Sequence, residues 1–458
     1  MEYTLDNKKS SIFESASIPR AVWSLALPSI IAQLINMIYN FADAWYVGRT
    51  GNAAMVAATN VSMPVFVIMA AIANLFGIGG ASVISRSLGM KKEERAKHTF
   101  AFCLYSGLAA AVVYMIVIAL FRPQLIMLVG GDKSDYQYIY NYMFWTMIVG
   151  AIPSVGNVLC GHLVRSIGAS KEAGFGMALG GILNMILDPL FMFVLLPKGN
   201  EVTGAAIATM LSNTAALIYF IIYIARHRKA STVLTLNPKD ISTEDEIPGS
   251  VIAIGVPAAL STTLAMVSNM FANALVSGYG TEAVAGMGVA KKINMIAFNT
   301  SMGMTQGVLP LLGYTFGAKK FDRLRAIFKY VAIILAIYTS ACVIMFKSCA
   351  SYLITFFIAE PKTVEFGTQF LQVIAWAAPL CAVSYLVNAV FQATGNRGRS
   401  LLLSVMRKGI LDIPAMIIFS SYIGARGVVL ATPFAEIVSA GIAVALYVTF
   451  VRKNLRKS

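Results

Sequence analysis

Twelve stretches of this chain are each apolar for about 20 residues or more, the length a helix needs to cross the hydrocarbon of a bilayer at about 1.5 Å per residue. They cover 21–47, 54–85, 98–121, 136–167, 172–196, 202–226, 250–278, 285–316, 328–347, 364–394, 400–422 and 427–451. No other feature limits the fold so tightly. Lipid offers no hydrogen-bond partner, so backbone groups in such runs have to be satisfied within their own segment, and continuous runs of this length read as helices. The expected fold class is an all-α integral membrane protein with twelve transmembrane helices. With 58% hydrophobic and 12% charged residues over 458 positions, the chain also lies outside the soluble globular range.

The net charge of +15 raises the question of nucleic acid. The basic residues fall in short clusters between apolar runs, as membrane topology requires, so no nucleic-acid partner is expected. Of the 36 Lys and Arg, 27 lie at the ends of the runs shared with the two termini, 7 lie on the opposite side, and Lys291 and Lys292 sit inside the eighth run. That bias predicts a multi-pass protein of the cell membrane with both termini cytoplasmic. Cys103, Cys160, Cys342, Cys349 and Cys381 lie in or beside apolar runs without metal-ligand spacing and read as small buried hydrophobes.

The two halves repeat. "ALPSIIAQLINMIYNFADAWYVGRTGNAAMVAA" from Ala26 matches "GVPAALSTTLAMVSNMFANALVSGYGTEAVAGM" from Gly255, pairing Pro28 with Pro257, Asn40 with Asn269 and Gly51 with Gly280. "RSLGMKKEERAK" from Arg86 matches "YTFGAKKFDRLR" from Tyr314, and "RSIGAS" from Arg165 matches "QATGNR" from Gln392. A repeat of six helices is a parallel one, about an axis along the membrane normal. It predicts two pseudo-symmetric lobes, 1–226 and 250–458, joined by a charged cytoplasmic linker at 227–249.

Within the fifth run, "GILNMILDPLFMFVLLP" places Asn184, Asp188 and Pro189 where leucine would serve. A charge at the bilayer centre costs roughly 2.5–3.5 kcal/mol on insertion scales, so such a carboxyl needs a partner, a wet cavity or its neutral form. Gly176, Gly180, Asn184 and Asp188 recur every four residues and make one stripe, on which Asn184 can donate to Asp188. Pro189 removes a backbone donor and frees a carbonyl one turn back, near Met185. A second carboxyl, Asp43, shares an edge of the first run with Asn36 and Asn40.

The twelve runs in two halves, the "LGMKK" and "FGAKK" loops, "RSIGAS" and "QATGNR", and "NMILDPLFMF" together resemble the multidrug and toxic compound extrusion (MATE) family, in its bacterial multidrug-efflux type, over nearly the whole chain. The resemblance implies export of cationic amphipathic compounds by alternating access, driven by entry of protons or sodium. It carries the family's acidic position in the first helix onto Asp43, its Asn-x-x-x-Asp pair onto Asn184 and Asp188, and its hydroxyl in the sixth helix onto Thr209. The polar position late in the fourth helix falls on Gly161, beside His162 and one turn after Asn157, where this sequence departs from the pattern. Gln306 stands where some members carry glutamate. In the second half Asp412 has Lys408 four residues earlier and reads as a salt-bridged pair, while Glu436 is left as a possible cavity residue.

No phosphate-binding glycine loop occurs, since "GYTFGAKK" ends Lys-Lys after a hydrophobic run, so an ion gradient and no cofactor is expected to supply the energy. His98, His162 and His227 offer no nucleophile–base or metal constellation, which argues against an enzyme. Twenty-three Met and 11% aromatics supply an adaptable lining for small-molecule substrates. A monomer in the lipid bilayer is expected to suffice. The competing reading, a specialised exporter or a flippase of lipid-linked substrates with the same two lobes, requires cationic side chains in the cavity. Lys291, Lys292, Arg407 and Lys408 are the candidates.

Overall fold

The computed structural model describes residues 11–132 and 134–455, and among these the ordered elements are all helices. The first lobe comprises α1 (Ile18–Gly48), α2 (Ala53–Gly89), α3 (Glu93–Leu128), α4 (Tyr136–Val149 with Ala151–Ser166), α5 (Ser170–Leu195) and α6 (Glu201–His227). The second comprises α7 (Ile247–Ser277), α8 (Thr281–Gly317), α9 (Phe321–Ser348), α10 (Pro361–Ile374 with Ala377–Ala393), α11 (Arg397–Val405, Met406–Asp412 and Ile413–Ile423) and α12 (Ala425–Lys453). Eight of these helices are long and apolar enough to span a bilayer, and the bent pairs α4 and α10 bring the number to ten. The two others, α8 with Lys291 and Lys292 and α11 with Arg407, Lys408 and Asp412, carry charge within their length.

The repeat is visible in the backbone. α4 bends by 49° at Gly150 and α10 by 43° at Ala375–Trp376. Each bend lies one turn before a proline, Pro153 and Pro379, whose ring displaces the carbonyl four residues back. After α2, Lys91 takes a left-handed φ of 58° and Lys92 N–H returns to Ser87 O at 2.8 Å; after α8, Lys319 takes 57° and Lys320 N–H returns to Thr315 O at 2.9 Å. The glycines of "RSIGAS" and "QATGNR", Gly168 and Gly395, have φ of 87° and 75°.

The lobes meet where α1 crosses α8 and α2 crosses α7, near the bundle end that carries most of the Lys and Arg, here termed the basic end. Small residues permit it. A methyl on Gly307 would fall 2.6 Å from Ala26 Cα, and at the equivalent crossing one on Gly79 would strike the carbonyl of Val251 beside Gly255. Further along, Gly89 lies against the Tyr314 carbonyl and Gly317 against that of Arg86, again a symmetric pair. One buried apolar cluster runs from Val22, Leu25 and Ile30 of α1 into Val308, Leu312 and Phe391 of the second lobe. Tyr314 Oη donates to Glu14 Oε1 at 2.7 Å and Arg323 Nη2 to Ala16 O at 2.6 Å, fastening the N-terminal segment across the same end.

The segment between α6 and α7 is a strap laid on the first lobe. Val233 and Leu234 are buried in that lobe's core, Tyr105 Oη donates to Leu236 O at 2.6 Å, and Lys97 Nζ lies 3.2 Å from Asp240 Oδ1. The Thr235 hydroxyl donates to the other carboxylate oxygen of Asp240. Those contacts hold the Asp240 carboxyl below the ordinary carboxylate range, the hydroxyl first and the ammonium after it. Asp245 and Glu246, at φ of 52° and 54°, turn the chain into α7.

Candidate functional site

α5 places its polar stripe against α4 and α6. Gly176 lets Phe220 of α6 approach, and Gly180 leaves Asn157 of α4 alongside, 3.3 Å from where a methyl would sit. With the backbones this close, the next two positions of the stripe meet α6. Asn184 Nδ2 donates both to Asp188 Oδ1 at 3.1 Å and to Thr209 Oγ1 at 3.2 Å. Asn213 Nδ2 donates to the Thr209 carbonyl at 2.9 Å, and Asn157 Nδ2 donates to Asn213 Oδ1 at 3.0 Å. A polar chain thus leads from Asp188 through Asn184, Thr209 and Asn213 to Asn157. The helix continues through Pro189 and then widens over Phe191–Leu195.

Asp188 is fully buried, yet it forms no ion pair with any described residue. Its Oδ2 and the Oδ1 of Asn184 accept no hydrogen bond from any described residue. Two buried acceptors without donors are what a small cation or a carboxyl proton would satisfy. Asp43 acts electrostatically on Asp188, and Tyr39 and Tyr142 share the same neighbourhood. Neither tyrosine was singled out from sequence. Tyr39 had a signal, one turn before Asp43 on the same helix; Tyr142 of α4 had none.

Between the lobes lies a cavity of about 410 Å³, within the size range of small-molecule sites. Asn36, His162 and Gln306, from the sequence candidates, line it; Asn40 instead donates to Asn36 O at 2.6 Å from an exposed position. Gln33 Nε2 donates to Gln306 Oε1 at 3.0 Å and Asn74 Nδ2 to Thr262 Oγ1 at 2.9 Å, so each crossing contributes a polar bar between the lobes. Towards the basic end the Ser82 hydroxyl donates to the Gln392 carbonyl, and below it Gly89 and Gly317 bring the backbones of α2 and α8 together and close the seam.

The second lobe neutralises its own acids. Lys408 Nζ lies 2.9 Å from Asp412 Oδ2, which also accepts from Ser268 at 2.6 Å, as the four-residue spacing predicts. Glu436 does not line the cavity. It is buried beside Arg407 Nη1 at 3.6 Å and Lys408 Nζ at 3.8 Å, because α12 turns it towards the wide turn of α11. Of the flippase candidates only Arg407 reaches the cavity; Lys291 donates to Asn269 Oδ1 at 3.2 Å and Lys292 lies 5.6 Å from the Phe41 ring across the cleft. Cys349 is exposed at the end of α9, so it is no core residue, unlike the other four cysteines.

Two six-helix lobes around a polar cavity, with the buried Asp188 of one lobe without a counter-charge among the described residues and the buried Asp412 and Glu436 of the other beside cations, define a membrane carrier. The comparisons narrow that class. The chain belongs to the MatE family, whose model matches residues 28–190 and again 257–418, the two matches opening on the paired prolines of the internal repeat. It is 28% identical over 443 residues to the multidrug export protein MepA of Staphylococcus aureus (strain MRSA252), covering 97% of this chain and 96% of the relative, and equally to MepA of Staphylococcus saprophyticus. Among solved structures, a MATE protein in complex with MaL6 superposes with a TM-score of 0.90 at 24% identity, over 98% of this chain and 100% of that one. An outward-facing multidrug resistance MATE family transporter of the MOP superfamily gives 0.89 at 24%, over 98% and 99%. The protein is therefore a multi-pass transporter of small molecules in a lipid bilayer, a class that is not enzymatic and needs no cofactor.

Proposed function

We propose that the protein is a secondary active multidrug exporter that exchanges protons or sodium for amphipathic compounds by alternating access. The observation that carries this is the asymmetry of the buried acids: Asp412 and Glu436 have cations beside them, whereas Asp188 has none and keeps an unpartnered oxygen. An acid kept in lipid without a counter-charge fits a coupling-ion site better than a structural one. Asp43, Asn184 and Asp188 would hold the ion, with Thr209 orienting Asn184. Cationic amphipathic substrates would be drawn to the same pair of carboxyls, and ion entry would displace them.

The basic end is taken as cytoplasmic, by the bias of Lys and Arg. The closed seam there supports an outward-facing state, and rocking of 1–226 against 250–458 as one monomer would open it. The strap at 227–249 would travel with the first lobe, leaving Asp245 and Glu246 to absorb the motion. One charge crossing roughly 150 mV releases about 3.5 kcal/mol, enough to drive a gradient of a few hundredfold in an uncharged substrate. The test is efflux of an ethidium-like dye from energised vesicles with pH and sodium gradients imposed separately. Export under one gradient alone identifies the coupling ion, and export under neither refutes the antiport reading.

A further inference from the structure

The uncompensated charge of the central cavity is positive. Arg165, on the last turn of α4, lines it and is only 2% exposed. Its guanidinium forms no ion pair with any described residue. One terminal nitrogen lies 3.4 Å from His162 Nδ1, the other 3.2 Å from Met177 Sδ, and Nε has no hydrogen-bond partner among the described residues. A guanidinium has five N–H donors, so most of its capacity is unspent. Arg407 faces the same cavity from the opposite lobe, set 4.4 Å over the Tyr385 ring, with Glu436 answering its charge. Apart from the His162 imidazole, the remaining lining is amide, hydroxyl and apolar, without a carboxylate. Asp43 and Asp188 stand outside it. The repeat equivalent of Arg165 is Gln392, also on the cavity wall but neutral, so the charge belongs to one lobe and not to the architecture.

A buried guanidinium without a counter-ion is costly unless something arrives to pair with it, and planar bidentate pairing with an oxyanion is the interaction it is shaped for. We propose that Arg165 is the anion-recognising pole of the central cavity, so that the cavity binds the carboxylate, sulfonate or phosphate group of an amphipathic molecule whose apolar body lies along Ile78, Leu309 and Met302. This deepens the exporter reading by adding acidic and zwitterionic amphipaths to its substrates. The anion would sit at the inter-lobe cavity while the coupling cation occupies the first lobe, so the two ligands use separate charges.

The test is direct binding, without a gradient, so its outcome is separate from that of the vesicle assay. A fluorescent naphthalene-sulfonate dye and its uncharged sulfonamide isostere are titrated into the purified full chain in phosphatidylcholine nanodiscs. Wild type should prefer the sulfonate. Arg165→Gln should lose about tenfold or more in sulfonate affinity and leave sulfonamide affinity within about twofold, and Arg165→Lys should recover most of the loss, since a charge-assisted hydrogen bond is worth more than a neutral one. Asn36→Asp, which adds a negative charge to the cavity wall while leaving Arg165 in place, should weaken the sulfonate alone and serves if Arg165→Gln does not fold. Repeating the titration with phosphatidylglycerol in the nanodisc separates the sources of the anion: competition identifies a lipid headgroup, and its absence identifies a soluble acid. Equal loss of both dyes in Arg165→Gln, or no preference for the sulfonate in wild type, overturns the proposal.

Discussion

Lys408→Met should cost the second lobe about 3–5 kcal/mol, the range for stranding a buried charge by removing its partner. Asp412 is fully buried, its Oδ2 lies 2.9 Å from Lys408 Nζ, and the hydroxyls of Ser268 and Thr432, at 2.6 and 3.3 Å, would be its remaining hydrogen-bond donors among the described residues. At an effective dielectric of about 20, the Coulomb attraction at that separation is roughly 6 kcal/mol, so the hydroxyls cannot replace the ammonium. Arg407, Lys408, Asp412 and Glu436 together are neutral; Lys408→Met leaves the cluster at one negative charge and Asp412→Asn leaves it at one positive. The double substitution restores balance and should fall within about 1 kcal/mol of wild type, as replacement of whole buried pairs does elsewhere. Equilibrium unfolding in mixed micelles, run as a double-mutant cycle, reads the coupling directly. If the double mutant loses the sum of the single losses, the pair does not hold the cluster and the contrast drawn with Asp188 collapses.

Asp188→Asn breaks no ion pair, so it should leave unfolding within about 1 kcal/mol of wild type while abolishing gradient-driven efflux; unchanged efflux at equal expression contradicts the assignment. Cysteines at Gly48 and Gly278, where an added side chain meets open space or only the Leu275 carbonyl, should crosslink only when the far ends of α1 and α7 close, stopping dye efflux until reduced; full-rate export by the oxidised protein refutes rocking. Gly307→Val should force α8 away from Ala26 and raise thiol labelling of a cysteine placed on the basic-end seam, and labelling at the wild-type rate would show that the seam does not depend on this contact. Because the Asp240 carboxyl is held low, its stabilisation of the strap is present above the ordinary carboxylate pKa and is lost only as pH falls through the lowered value. Proteolysis within 228–246 should therefore stay slow at neutral and mildly acidic pH, accelerating only in stronger acid, whereas Asp240→Asn should be cleaved quickly at every pH.

What the sequence determined is what depends on distance along the chain. Lipid compels each long apolar run to be a helix, and the repeat follows from matched prolines and loop motifs, whereas the left-handed φ shared by Lys91 and Lys319 shows only in the backbone. The contacts Asn184–Asp188 and Lys408–Asp412 were legible because residues four apart on a helix face each other whatever surrounds them. Tertiary structure decided what depends on each helix's rotation about its own axis. Glu436, expected at the cavity, meets Arg407 from another helix; Tyr142 comes into the neighbourhood of the acid pair; Arg165, read from sequence as the start of a repeated turn motif, turns into the cavity. A helix in a soluble protein announces its inner face by its polar outer one. In these spans the lipid-facing and protein-facing sides are both apolar, so the pattern carries little record of rotation, and packing of glycines against neighbouring backbones fixes it.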